Sequence, residues 1–186
     1  LFFFTLQESC YAYMFSGCSA MTSATTSNFW PATTLAKESY DSMIYGTDLL
    51  PDLTNISLTS ETTVKKCALV GLFAGTKVTD DMLAELLPEY DDGRYYLPVT
   101  ALSGNCYERM FDGCSSLTTA PELPAQTLTV SCYKGMFSNC TGITKTPTLS
   151  STSLADSCYT SMFSGCTSLS AVTELPATTL KSSCYK

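Results

Sequence analysis

The chain has 186 residues, 45% of them hydrophobic and 15% charged, with a formal net charge of −7 and no histidine. That balance supports one sizeable core and excludes a disordered chain, which combines low hydrophobicity with high charge. Ten Lys and Arg against seventeen Asp and Glu supply no basic face to neutralise phosphates, so a nucleic-acid partner is excluded, as are the Ser-His-Asp and Cys-His catalytic arrangements.

The first residues, Leu1-Phe2-Phe3-Phe4-Thr5, carry no basic stretch ahead of an apolar run. No run anywhere is long enough to span a bilayer, so no membrane insertion is expected for this stretch of chain. Leu1 to Ser9 aligns with Leu175 to Ser183. Both ends therefore fall in mid-repeat, and further repeats or other domains are expected on either side.

Cys10-Tyr11, Met14-Phe15 and Gly17-Cys18 form the first copy of a pattern that recurs along the chain. Phe29-Trp30-Pro31 follows and holds the sole tryptophan. In the repeat register Trp30 replaces Leu123, a core position, whereas Phe29 replaces Glu122, so Phe29 is a candidate binding residue. Ser39-Tyr40 with Met43-Ile44 is a worn copy, and Ala68 with Leu72-Phe73 a fainter one. Eleven of the seventeen acids lie between Glu38 and Asp92, so the acidity belongs to the first half.

The span around 77–100 reads as an insertion. Ala68 and Cys106 are 38 residues apart, about 12 more than the repeat length established below. Thr79 to Pro88 reads as a capped helix, with Thr79 as N-cap, Asp80 and Asp81 at the positive end and Pro88 as the stop. Glu89 to Tyr96 reads as a hairpin, because Asp92-Gly93 is a tight-turn signal between aromatic residues. Tyr90, Asp91, Arg94, Tyr95 and Tyr96 are candidate binding residues there, since tyrosine and arginine dominate interface hot spots. Asp91 and Asp92 alone are a poor calcium signal.

From Cys106 onward the repeat is regular. Units start at Cys106, Cys132, Cys158 and Cys184, each 26 residues after the last. Self-similarity at such a period marks a solenoid, propeller or array. Within each unit the Tyr-x-x-Met-Phe segment has apolar residues at i, i+3 and i+4, which predicts one or two helical turns ended by Gly113 or Gly165. Leu117, Ala120 and Leu123, with their counterparts 26 residues on, predict a short strand near Pro124 or Pro176. Stacked units would then form a parallel sheet with ladders of like side chains inside. Recurring Thr118, Thr144 and Ser170 fit solvent-facing strand positions, or a hydroxyl ladder matched to a polymer.

Met110-Phe111-Asp112-Gly113-Cys114-Ser115-Ser116-Leu117-Thr118, with the proline-bounded segment and the return to Tyr-x-x-Met-Phe, resembles the leucine-rich repeats of bacterial surface proteins. These are the BspA-like (Treponema pallidum type) repeats and the related 26-residue surface-protein repeat. The likeness covers Cys106 to Lys186 closely and Leu1 to Cys18 fairly, and fades from Met21 to Asn105. The expectation is an α/β repeat solenoid of leucine-rich-repeat type, right-handed, with short parallel strands and short helical turns. It forms a single array over 1–186, irregular over 1–105 and regular over 106–186. The resemblance implies an extracellular or cell-surface location and adhesion to a host or microbial protein or glycan. The alternative is a passive spacer, or a component of a surface or phage-particle assembly. It carries over no catalytic residue, and neither an enzyme nor a cofactor is expected.

Cys10/Cys18, Cys106/Cys114, Cys132/Cys140 and Cys158/Cys166 are each eight apart. Where one member is missing so is the other, at Ser39/Thr47 and Ala68/Thr76. Joint loss suggests four disulfides within units; buried free thiols are the other reading. A metal is not expected, because there is no CxxC and no histidine.

Overall fold

The computed structural model describes residues 7–21, 34–47 and 63–186; Phe29 and Trp30 lie outside them. The Tyr-x-x-Met-Phe segments organise the fold. Their backbone N–H groups alternate in direction. Those of Cys106, Glu108, Met110, Asp112 and Cys114 bond carbonyls three residues back in the same unit. Those of Asn105, Tyr107, Arg109, Phe111 and Gly113 bond the carbonyls of Val130, Cys132, Lys134, Met136 and Ser138 in the next unit, at 2.7–3.0 Å. The same alternation ties Ser131 to Asp156 and onward to Asn139 and Ser164. Successive units therefore lie side by side, in register.

The expected helical turns are not helices. Every fourth residue has left-handed backbone, with φ of 58° at Asn105, 54° at Arg109 and 75° at Gly113. Such a residue breaks a right-handed run, so the segment becomes a chain of tight turns. The turns free every second N–H for the neighbouring unit, which a helix would not. The third left-handed place is Gly17, Gly46, Gly75, Gly113, Asn139 and Gly165 in turn, the residue types that tolerate it best. Ser161 holds φ 53° in an exposed position. Ser161→Gly should raise stability by up to about 1 kcal/mol, the relieved strain exceeding the extra backbone entropy. Urea denaturation measures it, and a loss of stability would contradict the strained geometry.

Tyr107, Met110 and Phe111 are fully buried, as are Tyr133, Met136 and Phe137, so the i, i+3, i+4 face does point inward. Like packs on like. Phe73, Phe111, Phe137 and Phe163 form one continuous column, with ring centroids 5.6, 5.6 and 5.5 Å apart. Tyr107, Tyr133, Tyr159 and Tyr185 form a second, at 5.8, 5.8 and 5.7 Å.

The expected sheet is sparser than the periodicity suggests. Among the described residues only β1 (Thr34–Leu35) and β2 (Thr63–Val64) pair as strands, in parallel. Elsewhere the segments meet through single parallel bridges, among them Tyr96 to Glu122, Leu123 to Leu149 and Lys145 to Ala171. Pro98, Pro121, Pro124, Pro147 and Pro176 fall in these segments and give no N–H to a ladder, which keeps the pairing to isolated bridges.

The four expected disulfides are absent: Cys10, Cys18, Cys106, Cys114, Cys132, Cys140, Cys158 and Cys166 are all free thiols. The second cysteine of a unit has a different task. Cys114 Sγ donates to Phe73 O at 3.0 Å, Cys140 Sγ to Phe111 O at 2.9 Å and Cys166 Sγ to Phe137 O at 3.0 Å, each reaching the preceding unit. Where the worn units have threonine, the hydroxyl instead bonds the carbonyl three residues back in its own unit: Thr47 to Ile44 O at 2.9 Å, Thr76 to Phe73 O at 2.7 Å. The place requires a small buried donor, and Thr meets that requirement as Cys does. Ser39 and Ala68, both fully buried, fill the first cysteine's place because small volume suffices there. A thiol reagent should modify exposed Cys10 and Cys18 at once, and buried Cys106, Cys114, Cys132 and Cys140 only on unfolding. The unfolded chain should titrate ten thiols; two would restore the four bonds.

The insertion contributes α1 (Asp80–Leu86), capped as expected by Thr79, whose side chain accepts from Met82 N at 3.5 Å. Leu83 and Leu86 bury its inner face. Asp80 also accepts from the backbone N–H of Thr118 at 2.9 Å and of Thr119 at 3.2 Å, which clamps the helix to the following unit.

Candidate functional site

The hairpin after α1 forms as its turn signal predicts. Glu89 and Tyr95 pair antiparallel, Tyr90 N bonds Arg94 O at 2.8 Å, and Gly93 at φ 83° makes the reversal. The second arm then joins the repeat ladder. Tyr96 pairs in parallel with Glu122, with Glu122 N bonding Tyr95 O at 2.9 Å and Leu97 N bonding Glu122 O at 3.0 Å. A projecting loop is thereby welded to the face of the regular units.

The candidate residues divide. Tyr95 is only 8% exposed, and its hydroxyl donates to Thr119 O at 2.8 Å. It is a structural anchor and not a binding residue, because the hairpin's alternation turns it inward. Burial pushes its phenol well above the ordinary range. Tyr90 is exposed and stacks on half-buried Tyr96, centroids 4.3 Å apart. The Arg94 guanidinium lies over the Tyr90 ring, 5.7 Å from its centroid. Asp91 is exposed at the tip. Phe29 lies outside the described residues.

Arg94 is the centre of the arrangement. Its Nε donates to Asp92 at 2.8 Å and its Nη1 to Glu122 Oε1 at 2.7 Å. Glu122 Oε2 in turn accepts from Thr148 N at 2.7 Å. The hydrogen bond from Arg94 holds the Asp92 carboxyl below its ordinary range and raises the guanidinium's own affinity for its proton. Burial raises the Tyr90 phenol.

Two cavities flank this pair. One, of about 440 Å³, runs from Arg94 and Tyr95 across Thr119 and Thr146 to Thr173. The other, of about 180 Å³, lies between Tyr90, Arg94, Leu123 and Ser150. Arg94, Glu122 and Thr148 border both. The trough crosses successive units, and its lining includes six threonines, with Lys145 as a second cation. A larger apolar share marks another cavity of about 380 Å³ beside Met162, Phe163, Leu175 and Tyr185.

Sequence reading missed Glu122 and Thr148. The period itself could have found them: Tyr96, Glu122 and Thr148 are successive at 26-residue steps. Among the described residues no three His, Cys, Asp or Glu side chains gather to hold a metal, and no helix is long and apolar enough to cross a membrane. The chain matches no family model, no curated protein and no solved structure.

Proposed function

We propose that the chain is part of a leucine-rich-repeat type solenoid, extracellular or at a cell surface, that binds a surface protein or glycan and catalyses no reaction. The observation that carries this reading is the trough beside Arg94. A hairpin inserted into a regular array holds an aromatic pair and a double ion pair against the face of the following units. The regular units need no such device for stability, because their own columns already bury the core. Aromatic and arginine side chains at the edge of a cavity are the groups from which binding hot spots are built. The periodicity and the resemblance of Met110 to Thr118 support the solenoid and its location.

A combined protein and glycan array, probed with wild type and with Arg94→Ala/Tyr96→Ala, tests the reading. The double variant should lose about 2 kcal/mol, roughly 30-fold in affinity, for whatever the wild type retains. Equal binding by both would remove the trough and leave the passive-spacer alternative.

A further inference from the structure

We propose that the trough takes a neutral oligosaccharide; this inference rests on the binding reading above. The argument starts from charge. Arg94 and Lys145 are matched in number by Glu122 in the lining and Asp92 beside it, and Arg94 is already shared between Asp92 and Glu122 at 2.8 and 2.7 Å. An acidic ligand would have to compete with those carboxylates for the guanidinium, and a basic ligand would have to compete with the guanidinium for them. A hydroxyl needs neither exchange, since it donates to a remaining carboxylate lone pair and accepts from a remaining guanidinium N–H while the pair stays intact.

The lining extends the same logic. Thr118, Thr144 and Thr148 border the cavity and are all exposed; the Thr118 hydroxyl donates to Asp80 and keeps its acceptor lone pairs free for a ligand. Short polar groups of both donor and acceptor character, on a fixed backbone, suit a ligand whose own surface is hydroxyls. A protein partner would instead call for a central apolar pocket, and here the two stacked tyrosines sit at one end, not at the centre. The cavity of about 440 Å³ spans successive units, from Arg94 past Thr119 and Thr146 to Thr173, and shares Arg94, Glu122 and Thr148 as a wall with that of about 180 Å³, so the path crosses the units. That shape favours a short linear chain over a compact metabolite.

Saturation-transfer NMR and calorimetry on wild type should be run with tetrasaccharides of β-linked glucose, β-linked galactose and α-linked mannose. A uronate tetrasaccharide serves as the acidic comparison. At least one neutral probe should bind, with affinity changing less than twofold between 50 and 500 mM salt. Glu122→Gln and Arg94→Met should each weaken it at least tenfold, with melting curves confirming that both variants fold. Preference for the uronate, with steep salt dependence, overturns the neutral assignment. Failure of all neutral probes overturns it too; if the array still shows a protein ligand lost in Arg94→Ala/Tyr96→Ala, the trough survives as a protein site. Saccharide binding unchanged in both folded variants overturns the inference and the trough reading together.

Discussion

Phe137→Ala should destabilise the protein by about 3–5 kcal/mol, the range for removing a buried aromatic ring from a packed core. Phe137 is completely buried and stacks on Phe111 at 5.6 Å and on Phe163 at 5.5 Å. Its backbone is a hub as well: Phe137 N bonds Met162 O in the next unit, and Phe137 O accepts from Cys166 Sγ. The ring spacing is imposed by the distance between units, so neighbouring rings cannot slide in to close the gap. The surrounding units should therefore collapse little, and the cost should fall in the upper half of that range. Urea denaturation of wild type and variant measures it. A loss under about 1 kcal/mol would mean that the column does not carry the core.

Stability should also fall steeply above pH 9. Burial pushes the Cys106 thiol up to about 11, and Cys114 and Cys132 up to about 12, from the ordinary thiol value of 9.0. Cys140, Tyr107 and Tyr133 shift upward from the same cause. The sign follows from linkage. A thiol whose folded pKa exceeds its unfolded value keeps the native state more protonated than the unfolded one. Its contribution is intact below the unfolded pKa and is lost as pH climbs from there towards the folded pKa. Each thiol forfeits about 1.4 kcal/mol per pH unit in that window. By pH 11 Cys106, Cys114 and Cys132 should together have withdrawn several kcal/mol, a large part of a domain's margin. Melting temperature should stay level to about pH 8.5 and then drop. A level profile to about pH 10 would show that the cysteines do not titrate, as if bonded.

The repeat told most about what is buried. Tyr107, Met110 and Phe111 were legible as one inward face because burial follows side-chain spacing. Their backbone was not legible, because the same spacing suits a helix and a run of tight turns. The distinguishing sign was weak: Gly113 and Gly165 at one left-handed place are plain, but Arg109 and Ser161 occupy another and neither residue type advertises it. The cysteine pairing failed for a different reason. Joint replacement of Cys10/Cys18-type residues reflects two separate requirements, small volume in one column and a small buried donor to a backbone carbonyl in the other.

At the candidate site the hairpin was legible from Asp92-Gly93, whereas its docking was not. Local turn chemistry says nothing about which unit receives the arm. The contacts from Asp80 to Thr118 and from Arg94 to Glu122 join residues whose neighbourhood exists only after the units align. Tyr95 was misjudged because composition alone does not say which face of a hairpin a ring occupies.

The alternation of N–H groups has an electrical outcome. On the turn face every backbone hydrogen bond between units, among the described residues, runs one way, from an N–H in the earlier unit to a carbonyl in the later one, from Ser9 and Lys37 through Gly113 and Ser138 to Ser161 and Lys186. Peptide dipoles along that face therefore add instead of cancelling. The result is a macroscopic polarity with its positive pole toward the later residues, opposite in sense to an α-helix, so the two ends of the stack present unlike fields to anything that approaches them.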